Sequence, residues 1–420
     1  MKRVVCFLLM AVIALPLVFS CNRAPEVPDP EAGLAPFPKP SEQVDEVPLT
    51  RSERDFVQAG NDFAWRLTRK VWEANQERKG IILSPLSVQY ALGMLGNGAD
   101  AQVAAKLAEV LGYEGTDAIN AFCSKMIECL PAVDTSVTLA LANGVLVNDK
   151  CTLKAPFKAA VEGCYDALVE SMSFDNPNAV KKYVNDWCYK HTFGRITDVL
   201  EDVDPLSFMY LMNAIYFNAR WTNPFDKSKT KSENFKTLSG QNIKVGMMHA
   251  EIKETYYYSE TESCQIMTLP YGRGKYSMTI FLPKETDGVA ALLEDRGKYT
   301  YSGLSNVKLS LPSFRTDYKI DMKSLLAGMG LPLGPYNELV ENAAGTPPEI
   351  SKVIHQANIT VNETGSEAAA VAVVEMRYGA SGIEPPKPRD VTFTADHPFL
   401  YTITENTSGA ILFTGVYTGN

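Results

Sequence analysis

Histidine is scarce in this chain, with four among 420 residues, and no two are placed as a ligand pair. His191, His249, His355 and His397 lie far apart, and no HExxH, GxSxG turn or Gly-rich phosphate loop occurs. Gly272–Arg273–Gly274 is a lone turn between two strand-like runs. Neither metal nor cofactor chemistry is expected, and an enzyme is not the first reading. Beyond Cys6 and Cys21 there are six cysteines: Cys123, Cys129, Cys151, Cys164, Cys188 and Cys264. No CxxC spacing marks a zinc or redox site. An even number suits bridges, while their apolar surroundings suit buried free thiols equally well.

The chemistry left is that of the backbone itself. Glu363–Met376 reads ETGSEAAAVAVVEM. In strand register one face carries Ser366, Ala368, Ala370, Ala372, Val374 and Met376, all small or apolar. The other carries Glu367, Ala369, Val371, Val373, Glu375 and Arg377, which holds the charge. Such a strand can enter a sheet with its small side chains inward. Ala-rich sequence also forms helix, but Gly365, the β-branched valines and the prolines at 385, 386 and 388 oppose one. A segment fitted both to sit outside a sheet and to enter it is expected to be a switch.

The elements that position it are legible from periodicity. A helix is expected over Glu53–Ala74, with Phe56, Phe63, Leu67 and Val71 as its buried stripe. Ser84–Pro85 starts another, with a hydroxyl to cap free amides and proline in the first turn. Further helices are expected near 101–111, 117–130, 154–164, 177–191, 286–294 and 320–329. Strands are expected from Thr138, over Phe208–Phe217, Lys244–Met248, Ser263–Leu269, Tyr276–Leu282 and Val307–Leu311, and in three runs after Val391. This is an α+β chain without regular βαβ alternation.

The amino terminus has a different character. Lys2 and Arg3 precede an apolar run from Val4 to Val18 that ends at Ser20–Cys21. Residues 1–20 read as a secretory signal, and Cys21 directly after a small residue reads as the lipidated cysteine of a bacterial lipoprotein. Phe19 and Val18 depart from the strict lipoprotein pattern. Residues 21–50 are rich in Pro, Glu and Asp and are expected to be a solvated tether, with the folded domain spanning 51–420. The expected location is the cell envelope, lipid-anchored, or outside the cell. The net charge of −9, more negative once Lys2 and Arg3 are removed, argues against nucleic acid and polyanions as partners.

Several separated segments together resemble the serpins, the serine-protease inhibitors. They are ILSPLS at 82–87, LMNAIYFNARWTNPFD at 211–226, IKVGMMH at 243–249 with LPY at 269–271, VIHQANITVNETGSEAAA at 353–370, and ADHPFLYTI and GAILFTGVY near the end. The resemblance implies three β-sheets, about nine helices and an exposed reactive-centre loop, here about 363–390. It implies a monomer whose loop is bait for a serine protease, with some cysteine proteases as further targets. The protease forms an acyl-enzyme on the loop, the cut loop enters the central sheet, and the ester is trapped.

The family pattern carries over residue by residue. Glu363, Gly365, Ser366, Ala368, Ala369 and Ala370 match the inhibitory hinge. Ser84, Ser87, Asn213 and His355 match the polar shutter beneath the sheet, and Trp221 matches the aromatic at the breach, where the loop first enters. The acid at the loop base often pairs with a lysine; Ser313 stands in that position, and Arg315 is the candidate substitute. The family's usual spacing from Glu363 reaches the Gly379–Ala380 bond, with Tyr378 and Arg377 as alternatives. Gly379–Ala380–Ser381 suits elastase-like or subtilisin-like enzymes, and a mixed loop of this kind can serve several proteases, so the expected targets are elastase-like or broad. The alternative is a non-inhibitory serpin-fold surface binding protein, against which the small-residue hinge argues.

Overall fold

The computed structural model describes residues 43–255, 257–295, 303–341, 348–366 and 387–419. The amino-terminal half builds a helical layer from α1 (Arg51–Ala74), α2 (Pro85–Gly96), α3 (Ala101–Leu111), α4 (Thr116–Ala132) and α5 (Ala155–Tyr165). α6 (Pro177–His191) lies apart from it, and α7 (Val289–Glu294) and α8 (Lys323–Gly328) are short later additions. Thr50 caps α1 through a capping box with Glu53, and the expected stripe is buried, Phe63, Leu67 and Val71 completely. Ser84 caps α2 by accepting from the Ser87 amide, with Pro85 in the first turn.

The strands are β1 (Ile81–Leu83), β2 (Thr138–Asn148), β3 (Ala167–Met172), β4 (Met209–Arg220), β5 (Lys231–Lys236), β6 (Asn242–Thr255), β7 (Tyr258–Glu260), β8 (Cys264–Tyr271), β9 (Tyr276–Pro283), β10 (Ser305–Pro312), β11 (Phe314–Asp321), β12 (Ile354–Val361), β13 (Gly365–Ser366), β14 (Arg389–Thr394), β15 (Phe399–Glu405) and β16 (Ile411–Tyr417). One sheet runs β1-β16-β15-β9-β8-β7 and a second runs β14-β10-β6-β5. The remaining strands form two ladders, β11-β12 and β13-β4-β2-β3. β4 and β12 line shared cavities, so these two ladders are the halves of one central sheet, opened along a slot. The architecture is the expected three-sheet α+β fold, with eight α-helices among the described residues.

Two expectations need correction. Residues 43–50 do not behave as solvated tether: Val47 is 1% exposed and the Val44 amide bonds Ala132 O at 3.2 Å. The body therefore begins ahead of residue 51. The helix expected over 320–329 is shortened to Lys323–Gly328, because β11 continues to Asp321 as the partner of β12. No helix among the described residues is long and apolar enough to cross a membrane. Residues 1–42, with the expected signal, Cys21 and most of the tether, lie outside the described residues.

Candidate functional site

The slot between β4 and β12 is bounded by two strand edges. On one edge β4 pairs with β2 from Asn218 to Met209. On its other edge the named strand partner is β13, through Gly365↔Arg220 and Ser366↔Ala219. Among the described residues β12 pairs with β11 alone. Ile215, Phe217, Asn358, Thr360 and Ser366 line the slot near β13. Farther along it widens into a cavity of about 410 Å³ lined by Leu92, Met212, Asn213, Ile354 and His355 among others.

β13 is the first turn of chain into that slot, and it rests on a tight hinge. Asn362 Oδ1 accepts from the Thr364 amide at 3.0 Å, Thr364 Oγ1 at 2.6 Å and the Gly365 amide at 3.2 Å. This Asx turn fixes the reversal out of β12. Gly365 has φ +143°, and a Cβ there would stand 2.2 Å from Ala219 O. Glycine alone allows the backbones this close. Ser366 is 2% exposed and its Oγ lies 3.0 Å from Tyr271 Oη. The first residue of the expected inward face is thus already inside.

Trp221 closes the entrance. Its indole stacks on Tyr271 with centroids 4.3 Å apart at 11°. Its Nε1–H donates to Asn362 O at 2.9 Å, and its amide donates to Thr364 O at 3.0 Å. Glu363 is held by Thr230 Oγ1, which donates to its Oε1 at 2.7 Å, while Phe225 N donates to Glu363 O at 2.8 Å. Arg315 is not the substitute partner: its guanidinium pairs with Asp317 at 2.7 and 3.0 Å, and that bond raises its pKa. Ser313 bonds Gly246 O through its amide at 2.8 Å and its hydroxyl at 3.2 Å.

The start of α2 lies beneath the slot and touches both edges. Ser84 N donates to His355 Nε2 on β12 at 3.1 Å, and Ser84 Oγ donates to Leu412 O at 3.0 Å. Ser87 Oγ donates to Asn213 Oδ1 on β4. Asn213 Nδ2 donates to Asn143 Oδ1 at 2.6 Å, and Asn143 Nδ2 to Tyr165 O at 2.7 Å. Burial lowers the His355 pKa to about 4. The ring is neutral at pH 7, and Nε2, as the acceptor, leaves the proton on Nδ1.

The structure therefore brings Ser84, Ser87, Asn213 and His355 together under the slot, and Glu363, Gly365, Ser366 and Trp221 at its mouth. Ala368, Ala369, Ala370, Arg377, Tyr378, Gly379 and Ala380 lie outside the described residues. Sequence reasoning missed Asn143, Thr230, Tyr271 and Asn362. Asn362, three residues before Gly365 in a turn context, was the one with a local signal. The other histidines serve elsewhere: His191 Nδ1 lies 2.7 Å from Trp187 O, His249 pairs with Glu233, and His397 lies against Asp396 and Pro283 O. The six cysteines are free thiols, with Cys123, Cys129, Cys188 and Cys264 buried.

A family profile described as Serpin (serine protease inhibitor) matches residues 58–419. The chain belongs to the serpin family. Human Serpin B8 is 32% identical over 377 residues, covering 86% of this serpin and 98% of the relative. Serpin-Z2B of Triticum aestivum is 31% identical, covering 84% and 93%. Among solved structures, the native stressed conformation of Arabidopsis AtSerpin1 superposes with a TM-score of 0.77 at 27% identity, covering 88% of this serpin and 99% of that chain. The native state of the thermophilic serpin Tengpin gives 0.75 at 26% identity, covering 91% and 97%. Membership supports protease inhibition in general.

Proposed function

We propose that this serpin traps serine proteases covalently by inserting its cut loop into the slot. One observation carries the reading: the slot between β4 and β12 is open, and Gly365–Ser366 already occupies its mouth as a strand antiparallel to β4. The residues that follow, Ala368 to Val374, are small enough to continue that strand without a clash. In the proposed cycle the protease serine Oγ attacks the Gly379 carbonyl. The bond to Ala380 breaks, the new amino group takes the proton, and Gly379 is left as an ester on the protease. Insertion then completes the sheet, carries the protease away from its docking position, and distorts its site before water cleaves the ester. The protease supplies the chemistry, and the serpin supplies the free energy of a strand gained.

The proposed targets are elastase-like, with Tyr378 and Arg377 as alternative cut sites for chymotrypsin-like and trypsin-like enzymes, and with some cysteine proteases as secondary targets. The proposed setting is a monomer at the cell envelope, held by lipid on Cys21 or released. Incubation with elastase, chymotrypsin, trypsin and subtilisin tests this. The expected result is a complex that survives boiling in detergent, with a released peptide that mass spectrometry shows to begin at Ala380. Cleavage by all four with no such complex would sink the inhibitory reading and favour a non-inhibitory surface binding protein. Labelling with radioactive palmitate, lost in Cys21→Ala, tests the anchor.

A further inference from the structure

Hairpin Tyr271–Gly274, a lone turn in the sequence, touches the hinge on one side and the segment around Asp134 on the other. Its inner side holds the hinge. Tyr271 stacks on Trp221 and lies against Ser366 Oγ. The Gly272 amide donates to Arg220 O at 2.8 Å, and Thr222 Oγ1 donates to Gly272 O at 3.0 Å. Its outer side is held by Asp134, which is completely buried. Asp134 accepts from the Arg273 amide at 2.8 Å, from Arg273 Nε at 3.2 Å, and from the amide and hydroxyl of Ser136 at 3.0 and 2.6 Å. Gly272 has φ +53°, and a Cβ there would stand 2.7 Å from Asp134 Oδ2, so glycine lets the carboxylate sit directly on the turn.

Arg273 also reaches the amino-terminal arm. Its Nη2 donates to Gln43 Oε1 at 2.5 Å and to Thr135 Oγ1 at 3.3 Å. The next residue but one, Lys275, donates to Asp45 O. Val47 is buried, and its amide donates to Thr407 Oγ1 at 3.0 Å; Lys125 donates to Pro48 O at 3.3 Å. A charge-assisted contact anchored on a dry carboxylate is worth more than an ordinary surface pair.

We infer that Arg273 is a positioning residue for the hinge, and that arm residues 43–48 act through it to hold Ser366 and Trp221 in their resting places. The arm, holding the first of the described residues, makes the resting state of the slot sensitive to what is done to the chain ahead of it. Loosening Arg273 frees the hairpin, weakens the Tyr271 contacts with Trp221 and Ser366, and lets the mouth of the slot open more often. The consequence for inhibition rests on the proposed function; the opening itself does not.

Hydrogen exchange on the full chain separates the two. In Arg273→Ala the amides of Trp221, Gly272 and Gly365 are expected to exchange about tenfold faster, the factor one lost charge-assisted bond gives. The Gln43→Ala/Val47→Ser double variant is expected to move the same amides in the same direction and serves if Arg273→Ala does not fold. Arg273→Lys, which keeps the charge but not the fork, is expected to restore part of the protection. Lys150→Ala, which breaks the exposed pair with Asp175, serves as the control and should leave these amides alone. Hinge amides within twofold of the parent in both arm-side variants would overturn the inference. Loss of protease complexes with unchanged exchange would count against it as well, since the effect would then bypass the hinge.

Discussion

Ser84 N donates to His355 Nε2, and three residues on Ser87 Oγ donates to Asn213 Oδ1. One helix start thus holds β12 with one residue and β4 with another, across the line where a strand would have to pass. The capping geometry explains how. Ser84 Oγ accepts from the Ser87 amide while its own amide stays free of the helix ladder. That free N–H is what His355 accepts. The arrangement ties both edges to a common floor without a ladder between them.

The pH dependence of stability follows from that ring. The folded pKa of His355 is lowered to about 4 from 6.5 by burial. The unfolded chain therefore binds the extra proton first as pH falls, so stability is full above about pH 6.5 and is lost on the way down to about 4. The loss is on the order of 3 kcal/mol when complete. Urea midpoints of the first unfolding transition at pH 7.5 and 4.5 check it. A fall in the midpoint is expected for the parent, and a clearly smaller one for His355→Gln, which has no proton to take up. Equal falls in both would remove His355 as the cause.

Gly365→Ala should act at the hinge and nowhere else. Its Cβ would meet Ala219 O at 2.2 Å in a backbone conformation with φ +143°. The cost is roughly 1–3 kcal/mol, enough to break the two-residue pairing of β13 with β4. The expected outcome is an unchanged far-ultraviolet spectrum, faster amide exchange at Trp221, and more cleaved serpin released per protease trapped. A variant as efficient as the parent would show that β13 pairing is not on the path to insertion.

The parts of the fold that were legible are those with an apolar period. α1 showed its stripe, and β8, β9, β15 and β16 showed long apolar runs because both faces are covered. β3 and β5 showed nothing, because as edge strands they need only one buried contact: β5 reads KSENFK and buries Phe235 alone. The hinge was legible because small residues in strand register are rare. Thr230 was not, since its bond to Glu363 spans 133 positions and threonine carries no marker for that task. The slot itself is a missing ladder, which no local pattern encodes. Ser84 was legible locally as a helix start, but its place under the slot, like the roles of Ser87, Asn213, His355 and Trp221, came from resemblance, since no periodicity encodes those environments.

The Glu363 anchor gives the last prediction. Thr230 supplies a neutral hydroxyl at 2.7 Å, so Thr230→Val leaves a half-buried carboxylate oxygen without that donor. A loss of about 1 kcal/mol in native-state stability is expected. Gly246 lies between the two candidate partner positions: a Cβ there would stand 2.9 Å from Ser313 Oγ and 3.7 Å from Thr230 Cγ2. A lysine placed by Ser313→Lys therefore has Glu363 within reach of its long side chain. In the Thr230→Val background it should recover roughly 0.5–1 kcal/mol, the range of a partly exposed ion pair, and the gain should shrink in high salt. Melting temperatures of the uncut protein at low and high ionic strength, for both single variants and the double, measure the coupling. Recovery independent of salt would mean that the introduced lysine acts by packing, and strict additivity would mean that it does not meet Glu363 at all.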